Sequence, residues 1–212
     1  MYKPEVLELF PTPVYTTMLP VGLSSVIPFL DKQDMNTGAD EANYGRRSLD
    51  SYVLSKPECS GLRDFILECV QDFGDNTLMY DYESYKMSQS WVSHKEPGQH
   101  HTMHTHPNTL ISGVFYYGQS EENTPAIKFH KMTASYNQGS ISPKSKLDKR
   151  NSKFAWLEFS VSFQPGLLIL FPSYLHHSVP VNTSNSVRCS LAFNIVPTRG
   201  LGDELSLTEL LF

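Results

Sequence analysis

Gln164-Pro165-Gly166-Leu167-Leu168-Ile169-Leu170-Phe171-Pro172 is the stretch whose reading decides the fold. Five apolar residues run without polar alternation between a Pro-Gly turn signal and a second proline, which is the pattern of a strand buried on both faces. Such a strand belongs in mid-sheet. On either side lie further short runs rich in Tyr, Phe, Val, Trp and Ile, at Tyr85 to His94, Ile111 to Tyr117, Ala126 to His130, Phe154 to Phe163 and Arg188 to Val196. Gly, Pro, Asn and Ser separate them, the spacing expected of a sandwich or barrel. The second half of the chain is therefore β.

The first 80 residues read differently. Leu9-Phe10-Pro11-Thr12-Pro13-Val14-Tyr15 suits an edge strand, because proline has no amide hydrogen to give a ladder. A short helix is expected within 24–35, and polar residues from Asn36 to Asp50, with Arg46-Arg47 among them, read as loop. Leu62, Phe65, Ile66, Cys69, Val70 and Phe73 fall on one stripe of an amphipathic helix from Ser60 to Phe73, with Ser60 as its cap. Lys144, Lys146, Lys149, Arg150 and Lys153 make a basic stretch amid Ser and Pro, read as a solvated loop with a weaker reading as a lid.

Composition narrows the function. With 212 residues, 40% hydrophobic and 18% charged, the chain has enough apolar material for a core, and its length favours one domain. A formal charge of −5 gives no positive field for nucleic acid, and no 18-residue apolar run offers a membrane span. Met1-Tyr2-Lys3-Pro4-Glu5 opens no export signal, so a cytoplasmic protein is expected. Cys59, Cys69 and Cys189 are odd in number and lack C-x-x-C spacing, so they read as reduced thiols and not as disulfides or a zinc site.

Histidines carry the chemistry. His100, His101, His104 and His106 lie within seven residues, and the pair His176-His177 follows the buried run. A chance group of loop histidines is the bland explanation of the first cluster. If residues 104 to 106 are extended, however, His104 and His106 share a face and can chelate one ion. His177, 71 residues beyond His106, would add a ligand from a distant strand at the mouth of a barrel. Three ligands on one side leave coordination positions open.

Arg188-Cys189-Ser190-Leu191-Ala192-Phe193-Asn194 alternates a polar or small face (188, 190, 192, 194) with an apolar one (189, 191, 193). An arginine facing into a barrel is costly unless its charge is paired. Arg188 and Ser190 together offer a planar donor fork and a hydroxyl, suited to one carboxylate. The competing reading is a surface arginine on an edge strand, paired with an acid.

Three blocks in this order, 104–117, 165–180 and 188–194, resemble the iron(II)/2-oxoglutarate-dependent oxygenases, and most nearly an uncharacterised group related to the prolyl hydroxylases. Leu9 to Val14 and Ser90-Trp91-Val92 extend the likeness over most of the chain. The resemblance implies a mainly β fold, a double-stranded β-helix (jelly-roll) with N-terminal supporting helices, covering 1–212 as one domain. Residues 1–80 would be support, 81–197 the jelly-roll core and 198–212 a tail. It implies Fe(II) and 2-oxoglutarate as cofactors, dioxygen and a second substrate (a peptide or small molecule), and hydroxylation with release of succinate and CO2. His104 matches the first histidine of the family's H-x-D/E…H triad and His177 the last. His106 stands where the broader superfamily has a carboxylate, which leaves the metal centre at full charge and widens the choice of metal. A carboxylate from elsewhere, such as Asp81, Glu83 or Glu96, is still free to approach the ion. Arg188 and Ser190 match the clamp on the distal carboxylate of 2-oxoglutarate, and Tyr116, in preference to Tyr117, a tyrosine that helps hold it.

Other residues read as structural. His176 should point away from the metal, His100 and His101 should face solvent or line an entrance, His94 and His130 carry no partner signal, and Trp91 reads as core. Asn194 reads equally as a metal-side hydrogen-bond donor and as a sheet residue. Two other functions fit part of the pattern: a cupin-like three-histidine metalloenzyme that does not use 2-oxoglutarate, and a non-catalytic jelly-roll. No nucleic-acid or membrane partner is expected, and an all-β barrel offers an edge or face for a homodimer.

Overall fold

A computed structural model describes residues 4–36, 44–131 and 153–211. The strands are β1 (Tyr15–Met18), β2 (Arg46–Arg47), β3 (Tyr85–Lys95), β4 (His101–His104), β5 (Ile111–Tyr117), β6 (Ile127–His130), β7 (Glu158–Val161), β8 (Leu167–Pro172), β9 (His177–Val179), β10 (Arg188–Pro197), β11 (Gly200–Leu201) and β12 (Leu210–Leu211). The helices are α1 (Ile27–Asp31), continuing a 3₁₀ turn over Val21–Val26, and α2 (Ser60–Phe73). Two antiparallel sheets form the body: a larger one ordered β1-β8-β5-β10-β3-β2 and a smaller one ordered β4-β9-β6-β7. The fold is a jelly-roll with helices against the outer face of the larger sheet.

Period-two alternation divides the larger sheet into two chemistries. On its outer face Val92, Phe115, Tyr117, Leu168, Leu170, Leu191 and Phe193 pack with Leu62, Ile66, Cys69, Val70 and Phe73 of α2. Its inner face contributes Val114, Tyr116, Ile169 and Phe171, which meet Ile127, Phe129 and Phe163 from the smaller sheet's side. β8 lies between β1 and β5 with all but its first residue buried, as its unbroken apolar run predicts. Gly113 is a glycine for want of room: a Cβ there would strike the ring of Phe193 and Leu170 Cδ2.

Several elements begin or end elsewhere than the sequence suggests. The N-terminal edge strand pairs with β8 only from Tyr15, after both prolines, because Pro11 and Pro13 have no hydrogen to donate. The cap of α2 is Cys59, with no side-chain cap bond, and Ser60 is already helical behind the 3₁₀ turn Pro57–Cys59. The run Phe154 to Phe163 yields strand only at Glu158–Val161, since Lys153–Ala155 form a 3₁₀ turn. Arg46-Arg47, read as loop, is a short strand on the edge of the larger sheet, pairing with His94 and Ser93 of β3. Of the basic stretch, Lys144, Lys146, Lys149 and Arg150 lie outside the described residues, and Lys153 pairs with Glu8. Cys59, Cys69 and Cys189 are free thiols, and burial pushes Cys59 and Cys189 up to about 11.

Candidate metal and oxoacid site

His104 ends β4 and His177 begins β9, and the two are direct register partners. His106 follows two residues after β4, where its backbone N–H donates to Ser173 O at 3.1 Å and ties it to the end of β8. One ligand-capable nitrogen from each of the three rings lies within 4.8 Å of the others. His177 is 5% exposed, and the other two are partly buried.

The hydrogen bonds of the rings fit a cation. His104 Nδ1 donates to Thr102 O at 2.8 Å and His177 Nδ1 to Leu175 O at 2.9 Å. A carbonyl accepts only, so each Nδ1 carries the proton and each Nε2 keeps a free lone pair, the arrangement that orients metal-ligating histidines. His106 Nε2 stands 3.2 Å from His177 Nε2. Two nitrogens at right angles on one ion, each bonded at about 2.1 Å, would lie about 3 Å apart. Burial is the main cause that holds His177 down to about 3 and His106 to about 4, with neighbouring histidine charge adding to it, so all present neutral imidazole at neutral pH. Among the described residues no carboxylate joins the cluster. Glu96 is paired with Arg46 at 2.7 Å and Glu83 with Arg199 at 2.7 Å.

The polar face of β10 points into the barrel. Arg188 is 2% exposed in a strand flanked by β5 and β3, so it is not the edge-strand surface arginine of the competing reading. Its Nε donates to Pro125 O at 3.0 Å and its Nη1 to Ser190 Oγ at 3.2 Å, while the guanidinium lies 4.8 Å from the centre of the Tyr116 ring. Among the described residues no carboxylate pairs with it. Tyr116 is paired with Ser190 across the β10–β5 ladder, and its hydroxyl accepts the Ile127 N–H at 3.2 Å. Tyr117 faces the other way and meets His94 Nε2 at 3.0 Å. Asn194 accepts from Ser112 Oγ at 3.0 Å, and Ser112 in turn meets Ser173 Oγ at 2.8 Å.

A cavity of about 800 Å3 opens beside the histidines, and His101, His104, His106, Lys95, Trp91 and Asn194, together with Arg46 and Arg47, are among its lining residues. Trp91 corrects its sequence reading: it is partly buried against this cavity, its ring 6.0 Å from that of His106, because alternation along β3 puts 91, 93 and 95 inward. Of the two readings of His101, it takes the one that lines the cavity and not that of a solvent-facing loop. It lies in β4, stacks on His104 at 4.3 Å, and is held down to about 3 chiefly by burial. His176 and His130 stay out of the cluster: the carbonyl of His176 accepts from the amide of His130, and the His130 ring meets Ser178 Oγ at 2.8 Å. Lys95, Arg46 and Arg47 are the charged residues of the cavity, which sequence reasoning missed, and only the register of β3 with β10 and β2 places them there.

No curated protein matches the chain. Solved structures share the fold at low identity. A 2OG-Fe(II) oxygenase-family oxidoreductase from Burkholderia pseudomallei is 14% identical, with a TM-score of 0.56, over 85% of this chain and 83% of that one. A prolyl-4-hydroxylase from Pseudomonas putida is 14% identical, with a TM-score of 0.58, over 86% and 92%. HygX from Streptomyces hygroscopicus, solved with nickel and 2-oxoglutarate bound, is 13% identical, with a TM-score of 0.59, over 88% and 84%. No helix among the described residues is long and apolar enough to cross a membrane. Residues 89–194, half of the chain and the span from within β3 to within β10, match the family model described as "Putative 2OG-Fe(II) oxygenase". The chain thus belongs to the 2OG-Fe(II) oxygenases, whose cofactors are iron(II) and 2-oxoglutarate.

Proposed function

We propose that the chain forms one oxygenase domain in which His104, His106 and His177 hold Fe(II) while Arg188 and Ser190, backed by Tyr116, hold the distal carboxylate of 2-oxoglutarate. The observation that carries this reading is the pair of Nδ1–H···O=C bonds that leave Nε2 of His104 and His177 bare beside His106. Iron(II) bound there, with dioxygen and 2-oxoglutarate, supplies the oxidising chemistry: decarboxylation of the oxoacid to succinate and CO2 coupled to hydroxylation of a second substrate.

The chain's own residues do the rest. Thr102 O and Leu175 O fix the ring planes, so the ligands lose little freedom on binding. Arg188 is desolvated and without a carboxylate partner among the described residues, so an incoming carboxylate meets an already stripped cation. Ser190 and Pro125 O hold the guanidinium plane, and the ring of Tyr116 supports it. The cavity walled by Trp91, Gln89 and Asn194 is where a peptide or small-molecule substrate would lie next to the histidines. Three free thiols suit a reducing compartment such as the cytoplasm.

Succinate formation from 2-oxoglutarate by the Fe(II)-reconstituted protein tests the reading. Turnover that depends on both cofactors and is lost in His177→Ala is expected; wild-type turnover by that variant would overturn it.

A further inference from the structure

A second buried cation lies beside the oxoacid site. Lys95 ends β3 directly opposite Arg188, and each is 2% exposed. Residues opposite each other in an antiparallel ladder point to one face with Cβ atoms about 5 Å apart, and like charges so placed repel. The hydroxyls repeat the pairing. Ser93 stands opposite Ser190, and Lys95 Nζ donates to Ser93 Oγ at 3.2 Å as Arg188 Nη1 donates to Ser190 Oγ at 3.2 Å. Ser93-x-Lys95 and Arg188-x-Ser190 are thus mirrored arms across one ladder.

Among the described residues no carboxylate pairs with either arm. Lys95 Nζ donates to Tyr44 O at 3.0 Å and to Ser93 Oγ, and an ammonium has three hydrogens to give. Among the described residues that line the cavity beside the histidines, where Lys95 lies, there is no carboxylate. Burial first, and the charge of Arg188 second, push Lys95 down to about 7. Two buried basic groups side by side are costly when both are charged, and an anion between them removes that cost.

We propose that Lys95 and Ser93 form the second arm of the oxoacid site, so that the far carboxylate of 2-oxoglutarate is held between Arg188 and Lys95. The inference rests on the 2-oxoglutarate reading above. Its consequence is selectivity for a dicarboxylate, because a 2-oxo acid without the far carboxylate leaves both arms unpaired.

Calorimetric binding of 2-oxoglutarate and of 2-oxobutyrate to the full chain loaded with nickel(II) tests it. Wild-type protein should strongly prefer 2-oxoglutarate. Lys95→Gln should weaken 2-oxoglutarate roughly thirtyfold or more, the loss expected when one partner of a buried charge pair is removed, and leave 2-oxobutyrate within about twofold. Should Lys95→Gln fail to fold, Ser93→Ala carries the test, with an expected loss of about fivefold confined to 2-oxoglutarate. Wild-type affinity in the variant, with Arg188→Met still impaired, overturns the second arm and leaves a one-armed site. Equal weakening of both ligands makes Lys95 a structural residue and also overturns it. Wild-type protein that does not prefer 2-oxoglutarate overturns the reading on which the inference rests.

Discussion

His104 and His177 stand opposite each other in the β4–β9 ladder, a pairing that joins residues 73 positions apart and brings both rings together between the short smaller-sheet strands. Each ring donates Nδ1–H to a carbonyl two residues before it, Thr102 O and Leu175 O, so both present Nε2 inward. Replacing His177 with alanine should lower metal affinity by more than about 100-fold, beyond the 10–100-fold that follows loss of an orienting partner. Equilibrium dialysis with nickel(II) or iron(II) measures it, and unchanged affinity would remove His177 from the ligand set.

Acid should destabilise the metal-free protein. Burial chiefly holds His101 and His177 down to about 3 and His106 to about 4, against an ordinary value of 6.5. Below that ordinary value the unfolded chain takes up protons that the native chain refuses. The stability these rings permit is therefore full above about pH 6.5 and declines as pH falls toward 3–4. Urea midpoints in the presence of chelator should drop from pH 7.5 to pH 5, and a flat profile would contradict the burial argument.

Arg188 should matter more to ligand than to fold. Arg188→Met keeps much of the volume against Tyr116 and Phe163 and removes a buried charge with no carboxylate partner among the described residues. The cost is the bonds to Pro125 O and Ser190 Oγ, about 1–3 kcal/mol, set against relief of the repulsion with Lys95. Thermal melting of the apo variant should stay near wild type while 2-oxoglutarate affinity falls by at least about thirtyfold. A large loss of melting temperature would show that Arg188 supports the barrel itself.

Gly113 should resist even one methyl group. An added Cβ meets Phe193 and Leu170, which are 1% and 0% exposed and cannot swing away. Gly113→Ala is expected to cost about 1–3 kcal/mol by overpacking, read from chemical denaturation. A neutral effect would mean that the β5–β10 interface gives way more readily than its packing suggests.

The sequence was most legible where one physical pattern dominates. β8 could be read because an unbroken apolar run tolerates only mid-sheet burial, and the inward face of β10 because period two separates Arg188 and Ser190 from Leu191 and Phe193. The gathering of His104, His106 and His177 was legible from H-x-H spacing and a third histidine after a buried strand, although His106 proves to lie just beyond β4 and not within a strand. β4 itself, His101-Thr102-Met103-His104, has no apolar alternation and is held by a ladder with β9, so His101 read as loop. Trp91 and Lys95 were illegible for another reason. Their inward direction follows from which β10 residues they face, and register between strands nearly 100 positions apart is not written in local composition. Arg46-Arg47 likewise became strand only because β3 offered an edge.

The most direct measurement is an anaerobic titration of Fe(II) into metal-free protein with and without 2-oxoglutarate, following the visible charge-transfer band of an iron-bound oxoacid. The account predicts a band that needs both components, is absent in His177→Ala and needs far more 2-oxoglutarate in Arg188→Ala. A wild-type protein that binds iron without developing the band, or a band that survives intact in His177→Ala, would contradict the account.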